Sequence, residues 1–212
     1  VKGLGGFHLA VDAHNANAVF RLRQRKAREA KPLAVMTTNA ASARLWGDFN
    51  NIEIELLNSP ARPIVLARKT ERCRNAFIHV ADDLNEIGLM TAYTPVHLLL
   101  FHALAGLPSD PRWLDAASED ALVMTSANPS GEPLVIHTKE ACERLNGIAD
   151  AILTHDREIV CRCDDSVVRV VDGAARLVRR ARGYTPLAVK THCDMTGIAA
   201  TGASLKATAA LG

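Results

Sequence analysis

Leu122-Val-Met-Thr-Ser-Ala-Asn-Pro-Ser-Gly131 is the stretch on which the fold turns. Leu122 to Thr125 suit a buried strand and run straight into a polar turn. The turn offers Ser126, Asn128 and Ser130 as hydrogen-bonding groups. Pro129 biases Asn128 toward an extended backbone, and Gly131 lets the chain reverse. Open α/β sheets place ligands at such strand ends. Taken alone, this composition also fits any surface turn. Two further polar clusters ask for the same kind of partner.

The first is basic. Arg21, Arg23, Arg25, Lys26, Arg28 and Lys31 place six cations in eleven residues, opposed only by Glu29. A helix precedes them, with Asn15 or Asn17 as cap and Val19 and Leu22 on one apolar face. Lys26 and Arg28, two apart, would diverge on a helix but align on an extended segment, and Pro32 disfavours helix at Lys31. The helix is therefore predicted to end near Arg25, with Lys26, Arg28 and Lys31 on a loop leading into a strand, Leu33 to Met36. Cations on an irregular loop can converge on one polyanion such as a triphosphate. A solvated charged face is the plainer reading of the same run.

The second cluster is Arg162-Cys-Asp-Asp-Ser166, followed by a strand, Val167 to Val171, a tight turn at Asp172-Gly173 and a returning strand, Ala175 to Arg180. Adjacent carboxylates beside arginines either hold Mg²⁺ or form cross-strand ion pairs.

A chain of 212 residues, 48% hydrophobic, can bury one ordinary core, and with 4% aromatics that core is aliphatic. A net charge of +2 is too mild to imply nucleic-acid binding by bulk charge. No apolar run is long enough to span a bilayer, and the start does not resemble a secretion signal. Cys73, Cys142, Cys161, Cys163 and Cys193 are odd in number and irregularly spaced, which points to a reducing cytoplasm. Cys161-x-Cys163 lacks the second pair of a zinc site and reads as alternating with Arg162 on a strand.

Elsewhere strands and helices alternate. Ser42 to Phe49, Ile52 to Leu57 and Thr138 to Leu145 are predicted helices. Ile64 to Leu66, Ile87 to Met90 and Ala151 to Thr154 are short apolar, strand-like segments. Thr94 caps a further helix with Pro95 at its first position. His97, in its first turn, is either a histidine facing a ligand or a polar neighbour of the cap. The fold class is α/β with a mixed sheet.

Six segments occur in a telling order: Lys2-Gly-Leu-Gly-Gly-Phe-His-Leu9, Arg25-Lys-Ala-Arg-Glu-Ala-Lys-Pro32, Tyr93-Thr-Pro-Val-His97, Thr125-Ser-Ala-Asn-Pro-Ser-Gly131, Asp164-Asp-Ser-Val-Val168 and Arg180-Ala-Arg-Gly183. Together they resemble the YrdC-like domain of the hydrogenase-maturation carbamoyltransferases, the HypF type. The resemblance spans 1–187, and 188–212 resembles a linker and the first strand of the Kae1-like domain that follows in that family, as though cut there. Related synthases of threonylcarbamoyl adenylate typically carry Ser-Thr-Val-Val where this chain has Asp165-Ser-Val-Val168. Glu29 departs from the Pro often found in the basic loop, and Thr91-Ala92 from a usual Leu-Pro.

The resemblance implies a twisted mixed sheet with a concave nucleotide groove, and an adenylation within it. Carbamate, from carbamoyl phosphate, attacks the α-phosphate of ATP with Mg²⁺; pyrophosphate leaves and carbamoyl adenylate remains. The implied partners are the Kae1-like, acylphosphatase-like and zinc-finger domains and the carbamoyl-accepting maturation protein. Lys26 and Arg28 are assigned catalytic roles at the phosphates, with Lys31 beside them. His97, Ser126, Asn128, Arg162, Ser166, Arg180 and Arg182 are assigned to substrate or ATP, and Asp164 or Asp165 orients a lysine or binds Mg²⁺. The alternatives are the threonylcarbamoyl-adenylate synthase and a YrdC-like module for double-stranded RNA, the latter disfavoured by the mild charge.

Overall fold

A computed structural model describes residues 1–28, 30–202 and 208–212. Glu29, the acid within the basic loop, lies outside the described residues.

The strands in chain order are β1 (His8–Asp12), β2 (Ala34–Thr37), β3 (Gly47–Asp48), β4 (Ile64–Lys69), β5 (Glu86–Thr91), β6 (Ala121–Ser126), β7 (Val167–Val171) and β8 (Ala174–Arg179). They form one eight-stranded sheet in the order β1-β6-β2-β5-β4-β7-β8, with β3 added on β4. β2–β5 and β4–β7 are parallel and the other pairs antiparallel. The α/β fold class with a twisted mixed sheet is as read from the sequence.

The helices are α1 (Ala16–Arg25), α2 (Ala40–Ala43), α3 (Asn51–Asn58), α4 (Glu71–Ala76), α5 (Pro95–Leu104) and α6 (Thr138–Arg144). Asn15 caps α1 by accepting from the Ala18 amide, and α1 ends at Arg25. Thr94 caps α5 through the His97 amide. No helix is long and apolar enough to cross a membrane, among the described residues.

Alternation along the strands divides the core into two layers. One face buries Leu9, Val35, Val65, Leu89 and Val123 with Trp46, Leu57 and Phe77. The other carries Met36, Ile64, Met90, Leu122 and Met124 with Phe101 of α5. The part of this second face beyond α5 is the floor of a cleft.

Three expected elements differ. Ser42 to Phe49 is not a helix: Asn39 starts α2 earlier by accepting from the Ser42 amide, and Gly47–Asp48 pairs with Lys69 and Arg68 as β3. Ala151 to Thr154 is not a strand. Its tie to the neighbouring segment is one bond, Lys2 amide to Leu153 carbonyl at 2.9 Å, and the His8 end of the β1 edge is taken by Val1. Cys161 to Cys163 is irregular, held where the Cys163 amide meets the Gly5 carbonyl at 3.0 Å. Near the C-terminus, β9 (Ala199–Gly202) and β10 (Thr208–Leu211) pair with each other, apart from the main sheet. Part of the segment compared with a Kae1-like strand, 203–207, lies outside the described residues.

Candidate active site

The cleft has a volume of about 330 Å³. Its floor is a row across four strands: Met124 on β6 faces Ala34 on β2, Ala34 faces Gly88 on β5, and Gly88 faces Leu66 on β4. Ala34 and Gly88, the two smallest residues, make a trough in the middle. A Cβ on Gly88 would stand 2.8 Å from Ile64 Cγ2.

Around this apolar floor stand Arg28 and Lys31 from the basic loop, Thr125 and Ser126 from the end of β6, Asp164, Asp165 and His8, and Val178 and Arg179 from β8. Residues about a hundred positions apart thus share one hollow because antiparallel β1–β6–β2 pairing brings the ends of α1 and β6 side by side.

Arg28 Nη1 donates to Thr125 Oγ1 at 3.1 Å, and its Nη2 donates to the Pro32 carbonyl at 2.7 Å. Burial, then the charges of Arg23 and Arg179, pull its pKa down to about 10. Cations crowded at this cost favour an anion among them.

Lys26 lines no wall of the cleft. Its buried ammonium donates to the Ser126 carbonyl at 2.6 Å, the Asn128 carbonyl at 2.9 Å and Asn128 Oδ1 at 3.0 Å. It therefore shapes the Ser-Ala-Asn turn from behind. Asn128 is spent in the same way, accepting from Ser126 Oγ at 2.8 Å and donating to the Pro129 and Glu132 carbonyls. Ser126 itself reaches the cleft.

The later arginines divide. Arg162 donates to the Leu134 carbonyl at 2.6 Å and Arg180 to the Tyr184 and Leu187 carbonyls; neither lines the cleft. Arg182 bonds Asp165 Oδ1 from Nε at 3.0 Å, donates to the Ala61 and Arg62 carbonyls at 2.9 Å, and stacks 3.6 Å from the Tyr93 ring centre. Ser166 is fully buried, its hydroxyl donating to the Arg182 carbonyl and accepting from the Ala181 amide. These are structural bonds. The cation that faces the cleft on this side is Arg179.

His97 is fully buried, with neither ring nitrogen hydrogen-bonded. Burial, then the neighbouring His8, pulls its pKa down to about 3. It packs edge-on against Tyr93, inside the core and off the lining of the cleft.

Asp165 is the hub. Its Oδ1 accepts from Tyr93 Oη at 3.1 Å and from Arg182 Nε and Nη2 at 3.0 and 2.9 Å; its Oδ2 accepts from His8 Nε2 at 3.1 Å. Burial alone would push this carboxyl up, but the His8 bond and Arg182 outweigh it and hold the group well below the usual carboxylate range. An acid so engaged fits Mg²⁺ poorly, because coordination would displace charged donors. Asp164 also lines the cleft, and no group of three or more His, Cys, Asp or Glu residues is arranged to hold a metal, among the described residues.

Sequence reading missed His8 and Arg179 as cleft residues. His8 lay inside a quoted segment. Arg179 was hidden by a bulge: Val168 pairs with Leu177 and Val167 with Arg179, so strand parity breaks there.

Comparison with known proteins places this geometry. The family model Sua5_yciO_yrdC, described as telomere recombination, matches residues 1–181. Carbamoyltransferase HypF2 of Cupriavidus necator is 54% identical across 100% of this chain, which corresponds to 26% of that protein. The crystal structure of T. kodakarensis HypF superposes with a TM-score of 0.82 at 37% identity, over 96% of this chain and 25% of that one. A full-length HypF in the phosphate- and nucleotide-bound form gives 0.76 at 42% identity, over 87% and 27%. The chain therefore spans about a quarter of the length of the carbamoyltransferases it matches.

Proposed function

The chain belongs to the Sua5/YciO/YrdC family, and on that premise we propose that its cleft adenylates a small carboxylate, carbamate, with ATP. The products are carbamoyl adenylate and pyrophosphate, the activated group serving carbamoyl transfer in hydrogenase maturation. One observation carries the reading: Arg28, Lys31, Arg179 and Ser126 ring a trough floored by Ala34 and Gly88. A planar base rests on the apolar floor, and the triphosphate meets the cations.

The chemistry asks for little else. Carbamate oxygen attacks the α-phosphorus, the bond to pyrophosphate breaks, and charge grows on the phosphate oxygens. Fixed cations stabilise that charge, and confinement of the two substrates lowers the barrier further. Mg²⁺ bound to the nucleotide would neutralise part of the charge on its phosphates. Lys26 acts by holding the Ser126–Asn128 turn in shape. The relatives named as carbamoyltransferases and the nucleotide-bound neighbour support this reading over a threonylcarbamoyl-adenylate synthase. The remaining domains of such relatives would generate carbamate from carbamoyl phosphate and pass the product to the accepting protein.

The test is ATP–pyrophosphate exchange driven by ammonium carbamate. Arg28→Ala is expected to lower exchange by about 100-fold, the scale of losing one transition-state donor, with the circular dichroism spectrum unchanged. Full exchange in that folded variant removes Arg28 from the site.

A further inference from the structure

The cleft is polar at its rim and apolar at its floor, and the sheet explains the division. In the middle of the trough Ala34 is flanked by Met124 of β6 and Gly88 of β5, and Gly88 by Ala34 and Leu66 of β4. With a partner strand on each side, the amides and carbonyls of these two residues lie along the ladders and point at neighbouring strands, not up at a ligand. The side chains that widen the floor, Ile64, Val167 and Val178, are aliphatic. Val178 is 64% exposed and adds a surface that a flat ring would cover. The rim cations come from opposite ends of the strand order. Arg28 stands over the end of β6, its Nη1 on Thr125 Oγ1 at 3.1 Å. Arg179 ends β8, where its Nη1 reaches the Asp165 carbonyl at 3.4 Å. Both nonetheless face one hollow. After burial and the Arg23 charge, the Arg179 charge is the next influence that lowers the Arg28 pKa.

We infer that the cleft selects its nucleotide by the phosphate chain rather than by the base: Arg28 and Arg179 hold a polyphosphate from two sides, Arg179 sets the preference for triphosphate over monophosphate, and GTP is accepted alongside ATP. The inference deepens the adenylation reading and rests on its placement of the base on the floor. Adenine and guanine share one ring system and differ in the groups on their edges. A site that hydrogen-bonds a substrate's edge rejects the mismatched analogue strongly, whereas an apolar surface separates isosteres weakly. This floor is of the second kind. A pyrimidine covers less of it and gains less from burial. The charges discriminate where the floor does not. A monophosphate is short and meets one wall. A triphosphate carries more charge and spans both, relieving the repulsion between the two arginines as it binds them.

Calorimetric titration of the 212-residue chain with Mg²⁺ and α,β-methylene nucleotide analogues tests this. The ATP and GTP analogues are expected to bind within about threefold of each other, and the CTP analogue about tenfold more weakly. AMP is expected to bind about 100-fold more weakly than the ATP analogue. Inorganic tripolyphosphate is expected to displace both purine analogues. Arg179→Gln is expected to lower affinity for both analogues and for tripolyphosphate about tenfold while leaving AMP within about twofold. Arg179→Lys, which keeps the charge without the fork, is expected to recover part of the loss. A preference of about tenfold or more for either purine overturns the inference, since rim groups such as Thr125 would then read the base edge. So does an Arg179→Gln variant, folded by circular dichroism, that binds triphosphates as the wild type does or loses AMP in equal measure. If that variant is unfolded, Arg179→Lys carries the same comparison: triphosphate and AMP affinities that change in step overturn the inference. Absence of binding by every nucleotide overturns this inference and the adenylation reading together. The expected binding pattern without carbamate-driven exchange removes adenylation alone.

Discussion

At the residue scale, Lys26 shows how a charge can serve a site without entering it. Its ammonium is buried against three oxygens of the turn. Lys26→Met keeps the stem but strands those oxygens, so a loss of about 2–3 kcal/mol in urea unfolding is expected, with nucleotide affinity falling as the turn loosens. Stability equal to that of the wild type would show that the turn holds its shape alone. Sequence alone placed Lys26, Arg28 and Lys31 on one loop because helix geometry could not align them. It could not say which would turn inward: that depends on the positive φ of 48° at Ala27 and on the carbonyls of β6, neither visible in a pattern of charges. Arg162, Arg180 and Arg182 looked alike on paper. Their backbone-carbonyl partners, Leu134 for Arg162, Tyr184 and Leu187 for Arg180, and for Arg182 the Ala61 segment that Gly183 approaches closely, took them out of the cleft.

At the scale of elements, β5 sets the depth of the trough. Gly88→Ala places a methyl 2.8 Å from Ile64 Cγ2 and forces that side chain upward into the cleft. Nucleotide affinity is expected to fall about tenfold at a stability cost of about 1 kcal/mol, read by calorimetric titration and thermal melting. Unaltered affinity would place the base elsewhere. The long elements were legible: the caps at Asn15 and Thr94 and the Asp172-Gly173 turn, where both residues have positive φ, announce themselves by local chemistry. The short ones were not. α2 has four residues and β3 two; pairing with β4 decides β3, and the Asn39 cap sets where α2 starts.

At the scale of the whole molecule, acid should unfold the chain early. His97 titrates near 6.5 when unfolded and near 3 in the fold, so the unfolded chain binds the additional proton. The stability conferred by the neutral ring is fully present above about 6.5 and is lost as pH falls from there toward 3, at up to about 1.4 kcal/mol per pH unit. Asp165, held down in the fold, adds a loss of the same sign below the usual aspartate range. His97→Leu removes two unpartnered nitrogens; it is expected to raise stability at neutral pH by about 1–2 kcal/mol and to flatten the limb between pH 6.5 and 4 in denaturant titrations. An unchanged limb would assign the acid sensitivity to other groups. The fold class was legible because strands and helices alternate along the chain; the strand order was not, since both parallel pairs join strands separated in the chain by other strands and helices.

One of those neighbours has a further consequence. Ile64 and Val65 dock on Val167 and Val168, and the whole join is then locked by the Arg182 grip on Ala61 and Arg62. Loop closure over such a span is slow and entropically costly. During synthesis Ile64 and Val65 of β4 emerge before their β7 partners, and they must wait until Arg182 has left the ribosome. The wall that carries Asp164, Asp165 and Arg179 is therefore completed last, and a polypeptide interrupted before it would hold the floor and the basic loop without their facing side.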